Sequence, residues 1–253
     1  MKQRGLAVYA FCALAFLHLP LLILVAFSFN ANRFTVWESF SLRWYQAALS
    51  DPQLAAGLLN SLIIAGIAGV LSTIIGTLAA YGMWRRAAPV LSGTLYLSLV
   101  TPEIVTGVSL LALFQGAFRF LHLHLGLWTV IIAHVAFSIA YVTLVLSARL
   151  RGYDHSLEEA ALDLGASPWH AFTRVTLPVL APAITAAGLL ALVVSFDDYV
   201  ITSLVAGVDS ETLPMVIYAM ARRGVSPVVN AVSALIVVGF SVIILISQRL
   251  QAR

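Results

Sequence analysis

Three carboxylates and an imidazole lie inside long apolar runs of this chain: Glu103 after Thr101-Pro102, Asp197 and Asp198 after Ser195-Phe196, and His134. An ionisable group at bilayer depth costs about 3 kcal/mol or more, so such residues mark either a polar pathway or a specific pairing between helices. At a rise of about 1.5 Å per residue, Asp197 lies roughly 12 Å from the outer end of its run. His134 lies at a similar distance from the start of its own run and Glu103 somewhat deeper, so the four can share one layer. Phe196, Tyr199 and Tyr141 fall at comparable positions. An acidic layer with aromatic neighbours suits a cationic solute, through charge pairing and cation–π contact in a partly desolvated passage. The same carboxylates can instead lock helices together or orient a gate. Successive helical positions diverge by about 100°, so Asp197 and Asp198 cannot both face one cavity squarely, and one is expected to pair with a neighbouring helix or subunit.

Other chemistry is poorly supported. A phosphate-binding loop of the Walker type needs a lysine after a glycine-rich turn, and the only lysine is Lys2. There is no His-Glu-x-x-His, no Gly-x-Ser-x-Gly and no nucleophilic cysteine in a polar setting. The lone cysteine, Cys12, excludes an intrachain disulfide and a cysteine-based zinc site. His122 and His124 form a pair without a third ligand, which suits an interfacial feature better than a metal site. No catalytic residue, resident metal or cofactor is therefore assigned to the chain.

The elements that must position the buried charges are transmembrane helices. Hydrophobic residues make up 61% of the 253 positions and charged residues 10%, against roughly 45–50% and about 25% in a soluble domain. Six runs reach the roughly 20 apolar residues that a bilayer requires, at about 5–29, 58–84, 90–115, 126–148, 179–205 and 228–247. The third and fifth are irregular. Pro102 removes a helix hydrogen bond and, with Gly107, is expected to bend or loosen its segment. The first run is much longer than the 7–15 residues of a signal-peptide core and is read as a retained anchor.

With the N-terminus inside, nine of the fourteen basic residues fall on the cytoplasmic side: Lys2, Arg4, Arg85, Arg86, Arg149, Arg151, Arg174, Arg249 and Arg253. Arg33, Arg43, Arg119, Arg222 and Arg223 fall outside, which predicts a multi-pass protein with both termini cytoplasmic. Basic residues scattered between apolar runs are topology determinants rather than a nucleic-acid surface. No internal repeat is evident, which counts against a secondary carrier built from inverted halves.

Residues 149–178 form the one long polar stretch on the inner side. Ser156 followed by Glu159 reads as a capping box, with Glu158 and Glu159 also favoured by the helix dipole. Gly165 stops that helix. Ser167 caps a second whose first residue is Pro168, and Leu177-Pro178 marks its exit into the fifth span. Glu159-Ala160-Ala161 sets two small side chains together, so another surface can approach the backbone closely.

Glu159-Ala160-Ala161, Gly165 and then Val175, Leu177 and Pro178 resemble the EAA loop of permeases from binding-protein-dependent ABC importers. Val175 stands where that family usually has isoleucine, a conservative departure. From about Asn60 to Ser247 the chain is similar to the spermidine/putrescine-type subfamily. The matching residues are Asn60-Ser61, Thr101-Pro102-Glu103-Ile104, Phe196-Asp197-Asp198, Leu213-Pro214 and the run from Gly224 to Asn230. Related permeases for phosphonates, opines and amino-acid-like solutes share several of these, and methionine or leucine is equally familiar at Phe196.

The resemblance implies an all-α integral membrane protein of six transmembrane helices with the type I ABC importer permease fold and cytoplasmic coupling helices, one permease domain over 1–253. It implies that Glu159, Ala160, Ala161, Gly165, Leu177 and Pro178 dock on an ATPase. It further implies a bacterial inner-membrane location and, as partners, a second similar permease, two ATP-binding subunits that carry ATP and magnesium, a periplasmic solute-binding protein and membrane lipid. Glu103, Asp197, Asp198, Tyr199 and His134 are the candidate pathway residues. An ion-coupled carrier using Glu103 and Asp197 is the alternative from another class.

Overall fold

A computed structural model describes residues 2–33, 36–121, 124–224 and 227–251, so His122, Val225 and Ser226 lie outside the described residues. The described residues are almost wholly helical, with no strand beyond an isolated bridge between Asn30 and Phe40. In chain order the helices are α1 (Lys2–Ser28), α2 (Arg43–Ser50), α3 (Pro52–Arg85), α4 (Pro89–Val100), α5 (Glu103–Leu121), α6 (Leu127–Leu150), α7 (Ser156–Asp163) and α8 (Pro168–Ala171). A π-helical turn, Phe172–Thr176, leads into α9 (Leu177–Asp197), followed by α10 (Val200–Val205), α11 (Leu213–Arg222) and α12 (Pro227–Gln251). Among the described residues, five helices are long and apolar enough to cross a membrane, and the bent pair α4–α5 makes a sixth crossing if taken together.

The chain divides into two units, residues 1–55 with 216–253 and residues 56–215. In the first, α12 packs on α1 and α2. The link between α1 and α2 folds around Asn30, whose amide group donates to the Val36 carbonyl at 2.8 Å and accepts from the Glu38 amide at 3.0 Å. Ser28 and Tyr45 share a 2.6 Å hydrogen bond. Leu6, Phe11, Phe16 and Leu17 of α1 are exposed, as befits a helix whose solvent is hydrocarbon. Arg222 and Arg223 are also exposed.

The second unit is organised around α6, the helix most enclosed by protein, which packs against α4, α5, α9 and α10. Toward one end of α6, Val130, Ile131 and Phe137 join Phe114, Ile201 and Val205. Toward the other, Val142, Leu146 and Leu150 join Ala80, Leu180 and Ala187. Asn60 of α3 donates to the carbonyls of Asp209 and Glu211, and Ser61 accepts the Leu213 amide at 2.9 Å.

Two expected spans are interrupted. The third, read as a bent helix over 90–115, is two helices meeting at 112°. Thr101 precedes a proline and is extended (ψ 128°), its amide closing α4 on the Leu97 carbonyl, while the Pro102 carbonyl accepts the first amides of α5. Gly107 does not loosen the segment. It lies inside α5, where a Cβ would come within 2.6 Å of Leu204, so its role is close packing on α10. The fifth span, read as one irregular helix over 179–205, ends at Asp197. Asp198 is extended (ψ 128°), and its carboxylate accepts the Thr202 amide at 2.8 Å and the Ile201 amide at 3.3 Å, which starts α10 afresh. Helix α3 begins at Pro52 rather than near 58, because Asp51 accepts the amides of Gln53 and Leu54.

Candidate functional site

The two interruptions face one another. Helix α5 packs on α10, and the breaks at Thr101-Pro102 and Asp198-Tyr199 enclose a cavity of about 550 Å³ lined by Glu103, Thr106, Tyr141, Asp197, Asp198 and Tyr199, among others. Irregular backbone at membrane depth is tolerated where it is buried in protein or lines a polar cavity. Glu103 and Asp197 are exposed to this space. Asp197 is the last residue of the 21-residue α9, at the helix end where the macrodipole is negative, an unfavourable position for a carboxylate unless a cation is nearby.

Asp198 has a different environment. Its side chain is only 5% exposed, and besides capping α10 it accepts from the Thr202 hydroxyl at 2.7 Å. His134 is fully buried: Nδ1 meets the Ser195 hydroxyl at 2.7 Å, and Nε2 meets the Thr202 hydroxyl at 2.9 Å and the Asp198 carboxylate at 3.4 Å. The sequence allows the four ionisable groups to share one layer; the structure brings Glu103, Asp197 and Asp198 to the cavity and sets His134 behind its wall. Tyr141 and Tyr199 line the cavity, whereas Phe196 is buried and is not among the lining residues. The sequence also has Asp197 and Asp198 diverging as neighbours on one helix. They do diverge, but because the helix ends between them.

The loop 149–178 forms a second structured region. The reciprocal Ser156–Glu159 capping box is absent: Ser156 is already helical, and its amide is accepted by Asp154 at 3.0 Å. That bond holds the Asp154 carboxyl below the usual carboxylate range, so this contact persists at neutral pH and is lost on acidification. Gly165 ends α7 at φ +88°, where the Gly165 amide reaches the Leu162 carbonyl and the Ala166 amide the Ala161 carbonyl. A Cβ at Gly165 would meet nothing within 4 Å, so only backbone strain opposes a side chain there. Gly165→Ala is therefore expected to cost about 1–2 kcal/mol, read as a lower Tm of the purified protein; an unchanged Tm would show that α7 can end differently.

Ser167 caps α8 by accepting the His170 amide at 3.3 Å, with Pro168 in the first turn. The expected exit at Leu177-Pro178 is not a break. The Leu177 amide reaches back five residues to the Phe172 carbonyl, so a π turn, placed just before the proline that lacks an N–H, joins α8 to α9. On the loop, Glu159 and Ala160 are exposed, Ala161 is half-buried, and Leu164 and Trp169 expose 90% and 63% of their surface. Leu177 is half-buried and Pro178 exposed.

The structure adds a residue to which sequence reasoning gave no more than a helix-dipole role. Glu158, beside the motif glutamate, is 1% exposed. Its carboxylate accepts from the Tyr81 hydroxyl at 2.7 Å and the Thr176 hydroxyl at 2.9 Å, and it pairs with Arg85. The available signal was a tyrosine and an arginine four apart at the end of the second apolar run, facing a loop with two adjacent glutamates.

Residues 72–253 match the family described as "binding-protein-dependent transport system inner membrane component". The chain is 37% identical to the spermidine/putrescine transport system permease protein PotC of Haemophilus influenzae, over 95% of this chain and 93% of that protein. It is 40% identical to the putrescine transport system permease protein PotI of Escherichia coli K12, over 94% of this chain and 87% of that protein. In fold it is similar to a chain of the bacterial alginate ABC transporter in complex with its pentasaccharide-bound periplasmic protein, with a TM-score of 0.72 at 17% identity, covering 97% of this chain and 93% of that one. The broken helices around an acidic cavity, the exposed Glu159-Ala160 face and these matches lead to one assignment: the chain belongs to the family of inner-membrane permease components of binding-protein-dependent ABC importers.

Proposed function

We propose that this permease imports a polyamine of the putrescine or spermidine class, driven by a separate ATPase. The observation that carries the reading is the cavity between the two interrupted spans, to which Glu103 and Asp197 present exposed carboxylates beside Tyr141 and Tyr199. Two acidic groups and aromatic faces in a partly desolvated space favour a flexible di- or polycation over an anion or a zwitterion. The substrates in the names of the two relatives above support it. Glu103 and Asp197 take ammonium groups, Tyr199 offers a ring face, and Asp198 with His134 holds the broken helix in place.

The exposed face of Glu159, Ala160, Leu164 and Trp169 docks on the ATPase, with Gly165 and the π turn that leads into Leu177-Pro178 setting its shape. The whole chain acts as one permease domain beside a second, similar permease. Two ATP-binding subunits hold ATP and magnesium, and a periplasmic receptor delivers the solute. Both termini lie in the cytoplasm, and the chain itself catalyses no reaction.

Proteoliposomes holding the chain with its partner permease and ATPase, supplied with receptor, test this. ATP-dependent uptake of radiolabelled putrescine and spermidine, indifferent to a protonophore, is the expected result. Uptake of a phosphonate or a neutral amino acid in their place would overturn the cargo. Uptake without the ATPase that collapses with a protonophore would replace the importer by an ion-coupled carrier.

A further inference from the structure

Glu158 spends a fully buried carboxylate on joining three parts of the second unit. It sits on α7, Tyr81 and Arg85 lie in the last turns of α3, and Thr176 closes the π turn ahead of α9. Oε1 receives the Tyr81 hydroxyl and the Arg85 guanidinium, and Oε2 receives the Thr176 hydroxyl, which also lies 3.3 Å from the Tyr153 hydroxyl. Rings brace the same joint: Trp84 stacks flat on His155 at 4.1 Å, and Tyr81 packs on Phe172 at 4.4 Å. Apolar residues replacing Glu158 and its partners together would cost little stability, because burying an ion pair rarely improves on packing hydrocarbon. What the carboxylate adds is direction, since each bond holds only at one register of α7 against α3.

We propose that Glu158 is a positioning residue that makes α7, the π turn and the end of α3 one mechanical body, so that a push on the coupling loop moves α3 instead of being absorbed within the loop. The neighbouring Glu159 faces outward and meets the ATPase; Glu158 faces inward and carries the displacement to the membrane helix. This rests on the importer reading above. The π turn fits the role, because it places the Thr176 hydroxyl on the second carboxylate oxygen and such turns recur at functional sites.

The test uses the full complex in proteoliposomes, measuring receptor-stimulated ATP hydrolysis and radiolabelled putrescine uptake together. Glu158→Gln keeps the shape and loses the charge that Arg85 reads. Hydrolysis is expected to stay within about threefold of the unsubstituted complex, while putrescine moved per ATP falls tenfold or more. Tyr81→Phe and Thr176→Val each delete one bond without touching the charge and should lower the same ratio by roughly two- to fivefold. A merely structural role would lower hydrolysis, uptake and assembly in proportion and leave the ratio unchanged, which would overturn the proposal. Should Glu158→Gln fail to assemble, the two single-bond variants decide, and an unaltered ratio in both overturns it equally. Failure of the importer reading is separate, since the unsubstituted complex would then show no ATP-dependent uptake.

Discussion

Replacing Glu159 by lysine is expected to abolish ATP-dependent uptake while the protein still inserts and keeps its helix content. Glu159 is exposed in the first turn of α7, with Ala160 beside it, so no internal contact depends on its side chain. Reversing its charge weakens the helix end by about 1–2 kcal/mol. Across a docking interface the same reversal sets a cation where an anion is expected, and misplaced charges of that kind cost several kcal/mol. A loss of about 4 kcal/mol is roughly a thousandfold in affinity. Uptake in proteoliposomes and co-purification of the ATPase should fall together. This signature differs from that expected of Glu158→Gln, which should keep the ATPase bound and waste its work. Normal uptake by Glu159→Lys would remove the docking assignment.

The second large effect is at the cavity. Asp197→Asn should reduce putrescine uptake at low concentration by roughly 10- to 150-fold, the equivalent of a charged hydrogen bond of about 1.5–3 kcal/mol, with thermal stability unchanged. Stability is spared because Asp197 is exposed and ends α9 without capping another helix. Asp198→Ala is the contrasting variant. It strips an acceptor from the Ile201 and Thr202 amides and the Thr202 hydroxyl, and leaves His134 without its carboxylate neighbour. Each buried donor left unpaired costs about 1–3 kcal/mol, so this variant should show first as a lowered Tm. Equal losses of uptake at unchanged Tm in both variants would mean that the two carboxylates share one role, contrary to the division drawn here.

Much of this architecture was legible because hydrocarbon imposes few options. Runs of roughly twenty apolar residues must be helices that satisfy their own backbone, and they recur as α1, α3, α6, α9 and α12. The break at Pro102 was partly legible, since a proline without an N–H announces an interrupted ladder, although a 112° turn exceeds what one missing bond requires. The break at Asp198 was legible only as an irregularity, since two carboxylates stand where hydrocarbon should be but no proline or glycine marks a helix end. The helix ends where the aspartate side chain captures the amides of the next turn, an exchange that Thr202 and His134 make worthwhile. The start of α7 differs from the expected capping box, because Asp154 and Ser156 can both accept the first amides and the chain path gives that place to Asp154.

The sequence by itself determined a helical membrane protein, its spanning segments and the EAA-like loop, because composition and short-range spacing suffice where the solvent is apolar and the motif is contiguous. Which glutamate of Glu158-Glu159 turns inward, and which aspartate of Asp197-Asp198 stays open to the cavity, was decided only by the tertiary structure. Neighbours in sequence differ by about 100° on a helix, and the partners that select between them, Arg85 and Tyr81 for Glu158 and His134 for Asp198, stand more than sixty residues away.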